Sequence, residues 1–144
     1  MSLDAIKGFI NVGMVPVLGG DIVSDTEMGF GGGSGDQVAT ILATELGAAD
    51  LIFATDVAGV YDSDPKKNPE SHLVKELSLS DLSGLTISAT KGDASGAMKG
   101  KLNALADLPP ELRRGMKMAI ISMMEPGRLI GLLRGEPKAT IITP

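Results

Sequence analysis

Apolar residues in this chain fall into short runs separated by glycine and polar turns, and their spacing alternates between helical and strand-like. Asp4 to Asn11 reads as a short helix that Gly13 ends. Met14, Val15, Val17 and Leu18 read as a short buried strand, with Pro16 arguing for a strand start or an edge. Ile22 to Phe30 predicts an irregular or hairpin segment, and a glycine-rich loop follows from Gly31 to Asp36. Val38, Ile41, Leu42 and Leu46 recur at helical spacing, so a helix is expected from about Gln37 to Leu46. Ser34 or Asp36 suits its N-cap and Gly47 its stop. Leu51 to Ala54 is a buried strand, and the polar loop after it runs to about Glu70. Leu73 to Leu77 predicts a brief strand-like piece and Ser80 to Ser83 a helical turn. Thr90 to Met98 is a polar, glycine-bearing loop, and a helix is expected from about Met98 to Ala106. Pro109 and Pro110 interrupt the pattern. Met116 to Ser122 reads as a strand, Gly127 to Leu133 as a short helix, and Ala139 to Ile142 as a closing strand. Helices alternating with short apolar strands predict an α/β fold with a largely parallel sheet.

Composition narrows the functional classes. A chain of 144 residues, 43% hydrophobic and 22% charged, is globular and long enough for one domain with a substantial core. One Tyr, three Phe and no Trp leave the core to aliphatic residues and Met. With so few aromatic platforms and a net charge of -5, nucleic-acid binding is not expected. An anionic ligand would need backbone N–H groups and a few placed lysines. The absence of cysteine excludes disulfides, thiolate metal sites and a cysteine nucleophile, and fits a cytoplasmic setting. His72, the sole histidine, lies in a polar stretch and is expected to be exposed. No apolar run approaches the roughly 18 residues of a membrane span, and the N-terminus does not resemble a signal peptide.

Four constellations carry candidate chemistry. Thr55 to Asp62, with Asp56, Gly59, Tyr61 and Asp62, sits at the carboxyl end of a strand, where open α/β sheets bind ligands. Gly59 would let backbone approach a ligand closely, and Pro65 lies in the turn-rich continuation. The plainer alternative is a turn with solvated aspartates. Ser34, Gly35 and Asp36 precede a helix, whose N-terminus favours an anion; the alternative is a simple cap. Lys99 and Lys101 stand near the start of a helix, an unfavourable place for cations unless an anion joins them. Phosphoryl transfer uses such point charges, although solvated surface lysines remain the alternative. Gly19, Gly20 and Asp21 form a fourth, less specific strand-end turn. Neither a Walker loop nor a GxGxxG fingerprint is present.

The order Ser34-Gly35-Asp36, then Thr55 to Tyr61 with Pro65, then Gly96-Ala97-Met98-Lys99-Gly100-Lys101 resembles the carboxyl-terminal half of the amino acid kinase superfamily. Gly13 to Asp21, and the tail from Pro126 through Thr140, also resemble segments of that family. The archaeal isopentenyl phosphate kinases are the nearest members, with fosfomycin-resistance kinases next; acetylglutamate and uridylate kinases are further alternatives. The resemblance implies a three-layer αβα sandwich, and transfer of the ATP γ-phosphoryl group with Mg²⁺ to a small phosphorylated acceptor. It implies that Asp36 organises catalytic lysines, and that Ser34 and Gly35 meet the acceptor. It further implies that Asp56, Gly59, Tyr61, Asp62 and Pro65 line the nucleotide pocket, and that Gly96 and Lys101 touch the ATP phosphates. No metal ligand is assigned. Two positions depart from the family: Gly31 to Gly33 replace apolar residues, and Ala97 replaces a glycine. The family's preceding half, with its glycine-rich loop, catalytic lysine and acceptor-binding histidine, has no counterpart here. The chain is therefore expected to be a fragment with little activity alone, and to self-associate through surface left uncovered. A non-catalytic nucleotide-binding module is the remaining alternative.

Overall fold

The computed structural model describes residues 3–20, 22–80, 97–109 and 115–144. The chain divides into two compact units, residues 1–38 and 39–144. In the first, α1 (Asp4–Asn11) forms at the expected position. A hairpin then pairs β1 (Ile22–Asp25) antiparallel with β2 (Gly29–Gly32). The strand expected at Met14 to Leu18 does not form, and Val15 and Val17 are 86% and 93% exposed. An apolar run becomes a buried strand only where a neighbouring backbone completes its ladder. The described residues supply no such neighbour, and Pro16 removes one donor besides.

Helix α2 (Gly35–Leu46) starts two residues earlier than the sequence suggests. Gly47 ends it in the left-handed conformation, φ 61°. The buried face also differs from the expected stripe. Thr40 and Ala43 are buried, whereas Ile41 and Leu46 are exposed. Ala43 joins the main core, so the smaller side chains of α2 make the close approach there.

The second unit is built on a four-stranded sheet in the order β3, β5, β6, β4. These strands are β3 (Asp50–Thr55), β4 (Glu76–Ser78), β5 (Lys117–Ser122) and β6 (Ala139–Thr143). Two of its pairings are parallel, β3 with β5 and β4 with β6, and β6 runs antiparallel to β5. Helices α3 (Ala97–Ala106) and α4 (Arg128–Leu133) complete the described elements. The fold is α/β with a mainly parallel sheet, as expected.

The register explains the core. Leu51 and Phe53 of β3 pair with Met118 and Ile120 of β5. Ile120 and Met118 pair in turn with Thr140 and Ile142 of β6. Paired residues share a face of a sheet, so Leu51, Phe53, Met118, Ile120 and Ile142 form one apolar surface with the Thr140 hydroxyl at its edge. Leu102, Leu105 and Leu108, from α3 and the residues after it, join the same buried cluster. Leu105 and Ile120 are fully buried. The aliphatic side chains thus supply the core that the scarcity of aromatics demands.

Candidate functional site

One face of the sheet changes character at the carboxyl ends of β3 and β5. Beyond the Phe53–Ile120 pair comes Thr55 opposite Ser122, both buried hydroxyl residues. Thr55 Oγ1 donates to Asp56 Oδ1 at 3.2 Å, and Ser122 Oγ accepts the Met124 N–H at 3.1 Å. The Met123 N–H donates to the Thr55 carbonyl at 2.7 Å, extending the pairing into the turn. The carboxyl ends of parallel strands are where open α/β sheets bind ligands.

The segment from Asp56 to Lys75 carries the chain from β3 to β4, at opposite ends of the strand order. It has no helix or strand of its own but a narrow neck. The Val74 N–H donates to the Val60 carbonyl at 2.8 Å, and the Asp62 N–H to the His72 carbonyl at 3.1 Å. Tyr61 bridges Leu73 between these bonds. Four of the five nucleotide-pocket residues read from the sequence, Asp56, Gly59, Tyr61 and Asp62, therefore lie at or before the neck. Pro65 is half-buried inside the loop that the neck closes.

The three aspartates there have defined roles. Asp56 Oδ2 accepts from Lys66 Nζ at 2.6 Å, and that hydrogen bond holds the Asp56 carboxyl below its ordinary range. Asp62 Oδ1 accepts the His72 N–H at 2.9 Å and the Ser63 hydroxyl at 3.2 Å. The His72 N–H is the main cause that lowers the Asp62 pKa. Asp62 thus fastens the loop to itself. His72 is exposed, as expected, with Nδ1 3.5 Å from Asp62 Oδ2. Asp64 Oδ1 accepts the Lys66 N–H at 2.9 Å, and Asn68 Oδ1 the Glu70 N–H at 3.1 Å, two side-chain turns that set the path of the loop tip.

Gly59 also has a packing role within the chain. Its φ is not in the left-handed region, so space rather than conformation requires glycine. A Cβ there would overlap Thr140 Oγ1, meet the Thr140 backbone N at 2.9 Å and reach Leu73 Cδ1 at 3.0 Å. The close approach made by Gly59 is to β6.

Lys101 lies on α3, half-buried, with its ammonium 5.5 Å from the centroid of the Phe53 ring. It therefore stands on the sheet face that Phe53 shares with Thr55. Lys99 is exposed, and the first turn of α3 carries no acidic residue. Gly96 and the loop from Thr90 lie outside the described residues, as do Asp21 and the turn expected from Ser80 beyond that residue.

Within the first unit, Ser34 precedes α2 and its carbonyl accepts the Val38 N–H at 3.0 Å. Gly35 is exposed and Asp36 half-buried in the first helical turn. A Cβ on Gly20 would come within 2.6 Å of the Gly33 carbonyl oxygen and 3.2 Å of the Gly35 N. Two glycine-rich turns thus meet at the start of α2, where the helix N-terminus favours an anion. Among the described residues no cluster of three or more His, Cys, Asp or Glu could hold a metal ion. None of the described helices is long and apolar enough to cross a membrane.

Sequence reasoning missed Lys66 and Thr140. Thr140 was legible as a lone hydroxyl in an apolar closing strand, the pattern of a buried polar group that needs partners.

The chain matches the amino acid kinase family over residues 1–122. It is 36% identical to an isopentenyl phosphate kinase of Methanothermobacter thermautotrophicus, across 93% of this chain and 50% of that protein. A glutamate 5-kinase of Yersinia enterocolitica is 30% identical, across 95% of this chain and 37% of that protein. A solved isopentenyl phosphate kinase structure superposes with a TM-score of 0.74 at 32% identity, covering 99% of this chain and 51% of the other. The chain thus spans about half the length of these relatives, or less.

Proposed function

The chain belongs to the amino acid kinase family, and from that premise we propose that it is the carboxyl-terminal, nucleotide-binding part of an ATP-dependent small-molecule kinase whose acceptor is isopentenyl phosphate. The observation that carries this reading is the loop from Asp56 to Val74, closed at a hydrogen-bonded neck at the end of the sheet where β3 and β5 finish and β4 and β6 begin, with Lys101 on the adjoining sheet face. Asp56, Gly59, Tyr61, Asp62 and Pro65 contribute the nucleotide side. Lys101, with Gly96, meets the phosphates. A lysine suits that task because phosphoryl transfer depends on positioning and on neutralising charge spread over the phosphoryl oxygens.

In the same proposal Ser34 and Gly35 meet the acceptor phosphate through backbone N–H groups, and Asp36 orients catalytic lysines. The close packing of Gly20 against Gly33 and Gly35 supports an anion-binding turn. Mg²⁺ would travel with the ATP phosphates, since it keeps several waters and needs only one or two carboxylates from protein. A site with few protein ligands fits the acidic residues described. Bound there, Mg²⁺ would neutralise charge on the β- and γ-phosphates.

The glutamate 5-kinase similarity favours a second reading, in which the acceptor is another small anion. Phosphotransfer assays with isopentenyl phosphate, uridylate, glutamate and fosfomycin separate the two. They are run on the chain alone and on the chain co-expressed with the amino-terminal half of a family member. Turnover of isopentenyl phosphate by the completed protein, with almost none by the chain alone, is the expected result. Preference for another acceptor would overturn the substrate assignment, and robust turnover by the chain alone would overturn the division of labour.

A further inference from the structure

We propose that Thr140 is a positioning residue for nucleotide binding: its buried hydroxyl bolts the loop after β3 to the closing strand β6. The proposal rests on the nucleotide reading of that loop. Thr140 has no exposed surface. Its Oγ1 accepts the Val60 N–H at 2.8 Å and donates to the Val74 carbonyl at 2.6 Å. Val60 and Val74 are the two limbs of the neck, already joined by the Val74 N–H to the Val60 carbonyl. One hydroxyl thus completes a closed set of hydrogen bonds among two loop limbs and one strand.

The location gives the bond its consequence. The segment starts at β3 and ends at β4, and β5 and β6 lie between them. Without an intermediate attachment, a long connection with no helix or strand of its own is free to shift. Thr140 supplies that attachment beside the residues read as the nucleotide pocket. Gly59, next to Val60, has no Cβ and so admits Thr140. On the loop's far side the Ile141 N–H donates to the Lys75 carbonyl at 2.9 Å, leading directly into the β4–β6 ladder. The hydroxyl therefore couples sheet pairing to loop position. Threonine is required for two distinct reasons. The hydroxyl serves one donor and one acceptor at once, and the methyl group fills a fully buried site.

Two variants of the chain separate positioning from packing. Thr140→Val keeps the shape and removes the hydroxyl, whereas Thr140→Ser keeps the hydroxyl. The readouts are amide hydrogen exchange and ATP·Mg²⁺ affinity by calorimetry. In Thr140→Val the Val60 amide is expected to lose protection, with Ile120 at the sheet centre remaining protected, and the ATP dissociation constant is expected to rise by about tenfold or more. Thr140→Ser should restore both towards the parent. Unchanged Val60 protection in Thr140→Val would overturn the bolt. Lost protection with unchanged ATP affinity would overturn its role in positioning. Loss of Ile120 protection as well would show a purely structural role and also overturn the proposal. If the parent chain binds no ATP, the nucleotide reading and this role for Thr140 fall together, while Val60 exchange still reports whether the bolt exists.

Discussion

Substituting Gly59 by alanine adds one methyl group at the tightest contact described in the loop. The new Cβ would overlap Thr140 Oγ1 and meet two further atoms, the Thr140 backbone N at 2.9 Å and Leu73 Cδ1 at 3.0 Å. Leu73 can rotate away, but β6 backbone, paired on both sides, cannot move without disturbing two ladders. The loop must give instead. Overpacking of this kind costs about 1–3 kcal/mol. Displacing Val60 from Thr140 adds about 1 kcal/mol for a weakened buried hydrogen bond. A total of about 2–4 kcal/mol corresponds to a fall in Tm of about 7–13 °C for a chain of this size. Urea unfolding should show a lower midpoint with an unchanged slope. Adding Thr140→Ala removes the overlapping oxygen and the bond at once, so the double variant should lose less stability than the sum of the singles, by about 1 kcal/mol. A Gly59→Ala chain within about 0.5 kcal/mol of the parent, or strictly additive effects, would refute the packing argument.

Three other outcomes are expected. Ile120→Ala, at a fully buried position in the sheet centre, should destabilise by about 2–5 kcal/mol in chemical denaturation. Lys66 lowers the Asp56 pKa, so its contribution to stability is present above the unfolded value of about 3.9 and is lost as pH falls through the lower folded value. An NMR titration should show Asp56 protonating below the ordinary aspartate range, and Lys66→Met should move that titration upward. The pair is exposed, so the stability involved is at most about 1 kcal/mol and shrinks with salt. Sedimentation should show self-association at tens of micromolar, reduced by Val15→Lys with Val17→Lys, because these side chains are 86% and 93% exposed; a monomer throughout would contradict this.

The parts of the fold legible in the sequence are those in which local pattern and burial agree. Leu51 to Ala54 and Met116 to Ser122 are short apolar runs with sharp polar boundaries, and both are strands paired in parallel. The helix bearing Lys101 begins one residue from its expected start. Met14 to Leu18 has the same apolar character yet forms no strand, and Met14, Val15, Val17 and Leu18 are exposed, because a sequence reports a tendency to be buried but not the surface that buries it. The antiparallel direction of β6 was equally hidden, since Ala139 to Ile142 reads the same in either direction. At the candidate site, Asp56, Tyr61 and Asp62 were visible as polar residues after a strand. The partner of Gly59 was not: Thr140 is distant in sequence, and no local pattern connects the two.

The central claim is that the loop from Asp56 to Val74, with Lys101, binds nucleotide. Thermal unfolding of the chain with and without ATP·Mg²⁺, repeated for Lys101→Ala, tests it most directly. At about 100 times its dissociation constant ATP should stabilise the parent by about 2.7 kcal/mol, and Lys101→Ala should require at least about tenfold more nucleotide for the same shift. An unchanged Tm for the parent at millimolar ATP, or an identical response from Lys101→Ala, would contradict the account.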